Sequence, residues 1–285
     1  MHYIERPPHP SLAHVVRCLW AFEATPADGA AEIQRIVPDG YPEVVLQYGD
    51  AAHELTDAGA PKRQQRFIFA GQISRPLLLQ PGAHAGMIGI RLQPAGARLL
   101  LGLPMHELTD ARIDLAQIWT HESEQLIDAV ACKDDIPGRL QVVEQFLLKK
   151  IVGVRNKSDA AIMHGVGMLQ STDGHLSVDA VAISCGLSSR QLERRFLNEV
   201  GISARLLASI FRFRRVFDLL EQEPSGRWVS AAIGAGYYDQ AHMIRDFKRF
   251  AGQQPQAFYR SLYGLSAAMI SGEIATGLAH ETPAL

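Results

Sequence analysis

The sequence is poor in the residues that build disulfide frameworks and metal sites. Its 285 residues include three cysteines, Cys18, Cys132 and Cys185, which lie far apart and form no Cys-x-x-Cys pair. We therefore expect free thiols. The 11 histidines are dispersed and form no His-x-His or His-x-x-x-His pair. Because metal sites need clustered ligands, we expect no metal ion and no cofactor.

The signatures of membrane proteins and of several enzyme classes are missing as well. No apolar run reaches the about 18 residues that span a bilayer. The first residues, MHYIERPPHP, lack the basic head and apolar core of a signal peptide. There is no Gly-x-Ser-x-Gly, Walker or dinucleotide-binding motif. These absences predict a cytoplasmic protein that is not an enzyme and does not contact a membrane.

The chain also lacks an excess of positive charge, since its formal net charge is −2. Residues 158–266 carry 12 Lys and Arg against 10 Asp and Glu, whereas the remainder carries 16 against 20. The sign of this weak asymmetry suits a nucleic-acid-binding C-terminal part. Any DNA binding must then depend on a few placed arginines.

Two similar segments occupy that C-terminal part, 178–201 and 229–252. The second repeats key residues of the first at a distance of 50 or 51 positions. The repeated pairs are Ala182 and Ala232, Gly186 and Gly236, Arg194 and Arg245, Phe196 and Phe247, and Gly201 and Gly252. The extra residue falls in a turn, so the segments are copies of one structural unit.

Each copy has the pattern of a helix-turn-helix. A short helix over 178–184 precedes Gly186, and Ser188 or Ser189 then caps a second helix. Leu192 and Phe196 lie four positions apart and form its core face. In the second copy Asp239 is the expected cap, and the inward side chains are Met243, Phe247 and Phe250.

The opposite faces of the two second helices carry polar side chains suited to a DNA major groove. An arginine there can pair with guanine O6 and N7. The candidate base readers are Arg190, Glu193 and Arg194 in the first copy and Gln240, Ala241, His242 and Arg245 in the second. Lys248 and Arg249 lie beyond them and are expected to contact phosphates. The alternative is two ordinary helical pairs with solvated charges.

The segments GLSSRQLERRF and GYYDQAHMIRDFKRFAGQQPQAFYR, joined by a helix over 205–222, resemble the DNA-binding domain of AraC-type transcription regulators. The resemblance implies an all-α, homeodomain-like domain whose two recognition helices enter successive major grooves of promoter DNA. It also implies RNA polymerase as a partner, a homodimer and, in most cases, activation. Glu193 and Ala204 depart from the family pattern, which more often has a neutral polar residue and a proline there.

The first half of the sequence is predicted to be β-rich. Short strands are expected over 32–37, 43–48, 66–71, 77–80 and 86–92, separated by Gly and Pro. Asp39-Gly40 suggests a hairpin between the first two. The pattern loosely resembles the cupin-like barrel of some AraC-type regulators. We therefore predict an α+β multidomain protein.

Residues 94–152 are predicted to be helical, with one helix starting at Pro94 and a longer one at Leu108. Leu140, Val143, Leu147 and Ile151 form an apolar stripe, which serves either a dimer seam or intramolecular packing. The predicted domains are 1–152 for sensing and dimerisation, 153–266 for DNA binding, and 267–285 as a tail.

A sensing domain needs a ligand pocket, and polar or aromatic residues of the β segments are candidate liners. These are Trp20, Arg35, Tyr41, Tyr48 and Arg91, with Arg63, Arg66 and Arg75 added for a phosphate-bearing effector. Asp39 and Glu43 flank the predicted turn, where turn-forming or surface roles are expected. The favoured function is a DNA-binding regulator with a small-molecule effector. The alternatives are a cupin-like metal-dependent enzyme carrying a DNA-binding tail, and a DNA-repair fusion.

Overall fold

The structure is a computed structural model that describes residues 2–28, 32–55, 60–153, 158–222 and 228–261. The strands are β1 (His2–Arg6), β2 (Val16–Ala24), β3 (Gln34–Ile36), β4 (Glu43–Gln47), β5 (His53–Leu55), β6 (Lys62–Arg63), β7 (Phe67–Ala70), β8 (Leu77–Gln80), β9 (Ala85–Leu92) and β10 (Arg112–Asp114). The helices are α1 (Gly96–Leu101), α2 (Thr120–Ala131), α3 (Ile136–Gly153), α4 (Ala160–Ser171), α5 (Val178–Ser184), α6 (Ser189–Val200), α7 (Ala204–Gln222), α8 (Trp228–Gly234), α9 (Gln240–Ala251) and α10 (Pro255–Arg260). Over these ranges, no helix is long and apolar enough to cross a membrane.

The strands form two antiparallel sheets. The large sheet has the order β1-β2-β9-β4-β7-β10, and the small sheet has the order β3-β8-β5-β6. All residues of β4 and β9 are buried, because one face of the large sheet packs on helices and the other faces the small sheet. The predicted β-rich, α+β architecture is confirmed. Within the described residues it consists of two sheets that do not close into a single barrel.

The predicted hairpin at Asp39-Gly40 is wrong. β3 pairs with β8 in the small sheet, whereas β4 pairs with β7 and β9 in the large one. The connection is a crossover between sheets. Pro38 and Pro42 flank Gly40, which has a φ of +87°. Proline lacks the backbone N–H that pairing between strands requires. Strand pairing is therefore interrupted between β3 and β4, where the chain passes from the small sheet to the large one.

The long helix predicted from Leu108 is also wrong over its first part. Residues 112–114 form β10, whose Ile113 is paired with Phe69 of β7. Tertiary pairing with the sheet edge overrides the local pattern, and the helix α2 begins only at Thr120.

The apolar stripe on α3 packs within the chain. Leu140, Val143 and Leu147 are buried in the core between the large sheet and the helices, and Ile151 packs at its edge. The structure therefore gives this stripe an intramolecular role. Residues 154–157, which directly follow the predicted domain boundary at 152–153, and the predicted 267–285 tail lie outside the described residues.

Seven helices, α4 to α10, build the described C-terminal part around one core. The predicted helix over 178–184 is confirmed as α5, and the connecting helix is α7, one residue longer than predicted. Val37 and Ala95 of the N-terminal part join the same core. The N-terminal and C-terminal parts are therefore connected by apolar packing as well as by the polypeptide chain.

Candidate nucleic-acid interface and ligand cavity

The helix α6 begins with a complete capping box. The Ser188 hydroxyl accepts from the backbone N–H of Gln191, and the Gln191 side chain accepts from the N–H of Ser188. Gly186 precedes it in the left-handed conformation, with a φ of +66°. These residues end one helix and begin the next within a few positions, which sets the helix-turn-helix angle.

The two faces of α6 are divided as the sequence predicted. Leu192 and Phe196 are completely buried, while Arg190, Glu193 and Arg194 are exposed. The exposed side chains occupy the first half of the helix, where the recognition helix of a helix-turn-helix contacts base edges. The structure therefore brings all three candidate readers of the first copy to one solvent-facing surface.

The helix α9 repeats this arrangement. The Asp239 carboxylate accepts from the N–H of His242 and caps the helix. The side chains of Met243, Phe247 and Phe250 are buried. The polar face carries Gln240, Ala241 and Arg245, which are exposed, and His242, which is half-buried, with Lys248 and Arg249 exposed beyond them. We call α6 and α9 the reading helices.

Two side chains at equivalent positions of the reading helices have different surroundings. Arg195 of α6 forms hydrogen bonds with the carboxylate of Asp159, the cap of α4. Its counterpart Asp246 lies beside Tyr237. Neither residue carries a signal in the sequence that distinguishes it from the neighbouring candidate readers.

The pKa values of Asp159 and Asp246 shift in opposite directions. Burial by itself raises the pKa of Asp159, but the Arg195 hydrogen bonds and the backbone amides of Ala161 and Ile162 outweigh it and lower the pKa. The pKa of Asp246 is raised because burial outweighs the nearby positive charges and the adjacent Tyr237 hydroxyl.

The helix α7 separates the two reading helices. Its residues Phe213 and Phe217 are buried and pack edge-to-face at 5.1 Å between ring centroids. Phe247 of α9 contacts both rings, at 4.8 and 5.5 Å. The aromatic contacts fix α9 against α7, so the spacing of the reading helices is set by a packed core rather than by a flexible linker.

The N-terminal part contacts both reading helices at their C-terminal ends. The hydroxyl of Thr109 donates to the carbonyl oxygen of Gly201, which ends α6, at 2.6 Å. The guanidinium of Arg35 donates to the carbonyl oxygen of Ala251, the last residue of α9, at 3.1 Å. Both hydrogen bonds lie at the C-terminal ends of α6 and α9. They therefore do not cover the first turns of these helices, which carry the candidate readers.

A third contact reaches the connecting helix. The side chain of Gln72 donates to the carbonyl oxygen of Gly40 at 2.7 Å, and the ring of Tyr41 packs against Phe211 of α7. A Cβ at Gly40 would lie 2.8 Å from the Phe211 ring. The crossover between the sheets is therefore fitted closely against the C-terminal core.

A cavity lies between the large and the small sheet. Its walls are mostly aliphatic, with a smaller number of polar side chains. The apolar liners are Ile36, Val37, Val45, Ile68, Ala70, Ile73, Leu77, Leu79 and Met87, and the other liners include Trp20, Asp39, Tyr41, Glu43, Gln64 and Arg112. Two of the predicted ligand residues, Trp20 and Tyr41, thus line the same cavity.

Asp39 and Glu43 line the cavity and are both buried. Glu43 Oε1 accepts from Arg91 Nε at 2.9 Å and from Trp20 Nε1 at 3.1 Å, and Arg91 Nε lies 3.5 Å from Asp39 Oδ2. Burial raises the pKa of Glu43, and Asp39 adds to this effect while Arg91 opposes it. Burial by itself lowers the pKa of Arg91, but the two carboxylates outweigh it and raise the pKa. Asp39 has the turn-forming role expected from the sequence, since its Oδ1 accepts from the N–H of Tyr41 at 2.9 Å. Neither acid lies at the surface, because the structure buries both.

The other predicted ligand residues lie elsewhere. Tyr48 donates to Glu23 at 2.6 Å and packs under the guanidinium of Arg139. Arg35 makes the contact with α9 described above. Arg63 and Arg66 are exposed, and Arg75 is exposed as well. Arg91 lines a polar groove between the two parts of the chain. The structure therefore does not gather these arginines into one phosphate site.

Within the described residues, no three His, Cys, Asp or Glu side chains are grouped as metal ligands. The thiol of Cys18 is buried near Arg91, and burial raises its pKa.

Two family models match the chain. Residues 4–114 match a domain of unknown function (DUF6597), and residues 172–261 match a helix-turn-helix domain. The second match covers both reading helices. A comparison with curated proteins gave no match.

The solved structures that resemble this chain are distant in sequence. ToxT from Vibrio cholerae is 12% identical over 85% of this chain and 97% of that chain, with a TM-score of 0.45. Unsaturated fatty acid-bound ToxT is 10% identical over 91% and 96%, with a TM-score of 0.44. The AraC-like transcriptional activator CuxR is 14% identical over 74% and 76%, with a TM-score of 0.24. At these values, the likenesses give no information on what this chain binds.

Proposed function

We propose that the chain is a DNA-binding transcription regulator with an AraC-type helix-turn-helix domain, and that it reads its operator with both reading helices at once. The proposed base readers are Arg190, Glu193, Arg194, Gln240, Ala241, His242 and Arg245, with Lys248 and Arg249 on phosphates. Each helix would occupy one of two successive major grooves on one face of the duplex.

The observation that carries this proposal is the division of faces, which is the same in both helices. The apolar face of each is buried in one shared core, and the polar face of each is exposed over its first turns. Arg194 and Arg245 occupy equivalent positions on these faces. An exposed arginine near the start of a recognition helix can pair bidentately with guanine.

The N-terminal part is proposed to act as a sensor that adjusts the two reading helices. Ile36 of β3 lines the cavity, and the adjacent Arg35 donates to the last residue of α9. A ligand that shifts the small sheet would therefore also shift the contact with α9. Such coupling works as a population shift between arrangements that bind DNA well and poorly.

Several finer points of function stay predictions. The resemblance to AraC-type regulators predicts activation through RNA polymerase and a homodimer, and the sequence without a signal peptide or an apolar run of about 18 residues predicts a cytoplasmic location. The described residues offer an intramolecular role for the α3 stripe, so a dimer would need another surface.

Binding to a selected operator tests the reader assignment. We expect Arg194→Ala and Arg245→Ala each to weaken binding about 10- to 100-fold, the equivalent of about 1–3 kcal/mol for a bidentate base contact. Fluorescence anisotropy with labelled duplex, at fixed salt, gives the dissociation constants.

Arg75→Ala is the matched control, because Arg75 is an exposed arginine of the N-terminal part. Its affinity should equal that of the unmodified protein. If both reader variants bind as tightly as the control and remain folded by circular dichroism, the assignment of these helices is wrong.

A further inference from the structure

We propose that Tyr238 is a further DNA-contacting residue, whose hydroxyl donates a hydrogen bond to a backbone phosphate beside the groove that α9 enters. This inference rests on the proposed function. It adds a contact that is made by the turn of the second motif and not by a reading helix. The contact affects the affinity for every duplex and not the choice of sequence, so it can fail while the reader assignment holds.

The turn of the second motif contains one residue more than the turn of the first, and Tyr238 is that residue. The hydrogen bonds that end the first helix are the same in both motifs. The N–H of Leu187 donates to the carbonyl oxygen of Ala182 at 2.9 Å, and the N–H of Tyr237 donates to that of Ala232 at 3.0 Å. Tyr237 therefore takes the place of Leu187, and Tyr238 has no counterpart in the first motif.

The extra residue changes what the turn presents to the solvent. In the first motif the cap Ser188 follows Leu187 directly, whereas Tyr238 stands between Tyr237 and the cap Asp239 in the second. Leu187 and Tyr237 both pack in the C-terminal core. Tyr238 is 93% exposed, more than any other large hydrophobic residue in the described ranges. The insertion thus places an aromatic ring outside the fold.

No contact within the described part of the chain accounts for this ring. Among the described residues, none forms a hydrogen bond or a ring contact with the side chain of Tyr238. The neighbouring Tyr237, in contrast, is buried and packs edge-to-face on His242. A tyrosine combines an apolar ring with a polar hydroxyl, which suits the surface of a binding partner. Tyr238 is therefore available for a contact with another molecule.

The position of Tyr238 favours DNA as that molecule. Tyr238 lies two residues before Gln240, which begins α9 and is a candidate base reader. Two trans peptide bonds keep the Cα atoms of these residues within about 7.6 Å of each other. The first residues of a recognition helix contact base edges in the major groove. The turn immediately before them is then brought to the edge of the groove, where the phosphates lie.

A phosphate oxygen is the acceptor that suits the hydroxyl of Tyr238. Tyrosine hydroxyls are among the groups that donate to phosphates, and a hydrogen bond to an ionised acceptor is stronger than a neutral one. The alternative is an apolar contact of the ring with a thymine methyl group. Tyr238 precedes the helix and is not on the polar face with Ala241 and Arg245, which favours the phosphate. Such a contact carries no sequence information.

Two variants separate the hydroxyl from the ring. Tyr238→Phe removes the hydroxyl alone, and Tyr238→Ala removes the ring as well. Fluorescence anisotropy with the full-length protein measures binding to the selected operator and to a random-sequence duplex of the same length. We expect Tyr238→Phe to weaken binding to both duplexes by the same factor, roughly five- to tenfold, because one hydrogen bond to a charged group is lost. Tyr238→Ala should weaken both at least as much.

The salt dependence of binding distinguishes this hydroxyl from a charged contact. Tyr238→Phe removes no charge, so the slope of log affinity against log salt concentration should equal that of the unmodified protein. Lys248→Ala should make the slope shallower by about 1. Val152→Ala is the matched control, because Val152 is a comparably exposed side chain, at 86%, on α3 of the N-terminal part. Its affinity and its slope should be unchanged.

Thermal unfolding shows whether the variants are folded, and we expect no change, because an exposed side chain without partners contributes little to stability. Unchanged affinity of folded Tyr238→Phe for both duplexes would overturn the proposal. A loss confined to the operator would overturn it too, because Tyr238 would then read a base. If Tyr238→Ala and Arg245→Ala both bind as tightly as the unmodified protein, the proposed function fails with it, whereas a loss for Arg245→Ala alone leaves that function intact.

Discussion

The two helix-turn-helix motifs have the same frame but distribute their charges differently. The first places Arg190 and Arg194 around Glu193 at the start of its reading helix, and the second has a single reader arginine, Arg245. Beyond it the second motif carries Lys248 and Arg249, where the first has Leu197 and Asn198. The difference suggests that the first motif contributes more base reading and the second more phosphate contact.

The motifs also differ in how their reading helices are held. Phe247 of α9 contacts the rings of Phe213, Phe217, Trp228 and Phe258. Phe196 of α6 is equally buried, but within the described residues it has no aromatic ring partner. The second reading helix is therefore held mainly by aromatic packing, whereas the first also has the Arg195–Asp159 ion pair.

The largest expected effect breaks this packing. Phe247→Ala should lower the free energy of unfolding by about 3–5 kcal/mol, and by more than Phe196→Ala, because each lost aromatic pair adds about 0.5–1.5 kcal/mol. Urea unfolding of both variants measures the difference. A larger loss for Phe196→Ala would contradict the aromatic account.

The turn glycines give a smaller, graded effect. Gly186 and Gly236 both have a positive φ, +66° and +80°. A Cβ at Gly186 would meet nothing within 4 Å, whereas one at Gly236 would lie 2.5 Å from the His175 ring. Alanine should cost about 1–2 kcal/mol at each position through backbone strain.

The close approach at Gly236 should add to that cost, because the His175 ring would have to move aside. Thermal unfolding of the two variants should therefore show a lower midpoint for Gly236→Ala. The reverse order would mean that the ring yields freely and that the turns differ for another reason.

The smallest effect concerns the pH dependence of stability. Asp159 has a lowered pKa in the folded state, so its stabilising contribution is present above about pH 4 and is lost as the pH falls further. Asp246 has a raised pKa, so its charged form opposes folding as the pH rises above about 4. Acidification should thus weaken the contribution of Asp159 to stability and relieve the unfavourable contribution of Asp246.

Substitution by asparagine separates the two contributions. Asp159→Asn should lower the free energy of unfolding at pH 7 and make that free energy depend less on pH below about 4. Asp246→Asn should lower it less at pH 7, or raise it. Urea unfolding between pH 3 and pH 7 measures both. A larger loss at pH 7 for Asp246→Asn than for Asp159→Asn would contradict the assignment.

The sequence predicted the C-terminal part closely because its signals are local. The cap at Asp239, the turn at Gly186 and the core spacing of Leu192 and Phe196 each depend on residues a few positions apart. The N-terminal part depends on pairings between distant residues. Ile113 pairs with Phe69, and Arg35 lies opposite Leu78, and neither pairing leaves a periodic trace in the sequence.

The residues around the cavity were difficult to predict from the sequence for the same reason. Trp20 and Tyr41 were predicted because they are polar aromatic residues in β segments. Glu43 was expected near the surface because it follows a turn signal, but the crossover from β3 to β4 brings it inside between two sheets. Only the three-dimensional arrangement shows that Arg91, Asp39 and Glu43 lie together.

Selection of bound duplexes from a random library tests the central claim most directly. The account predicts a bipartite site whose two halves are centred about 10 base pairs apart, one turn of B-form DNA. Arg194→Ala should relax the sequence preference in one half only, and Arg245→Ala in the other. A single continuous site, or a site in which either substitution relaxes both halves equally, would contradict reading by two separate helices.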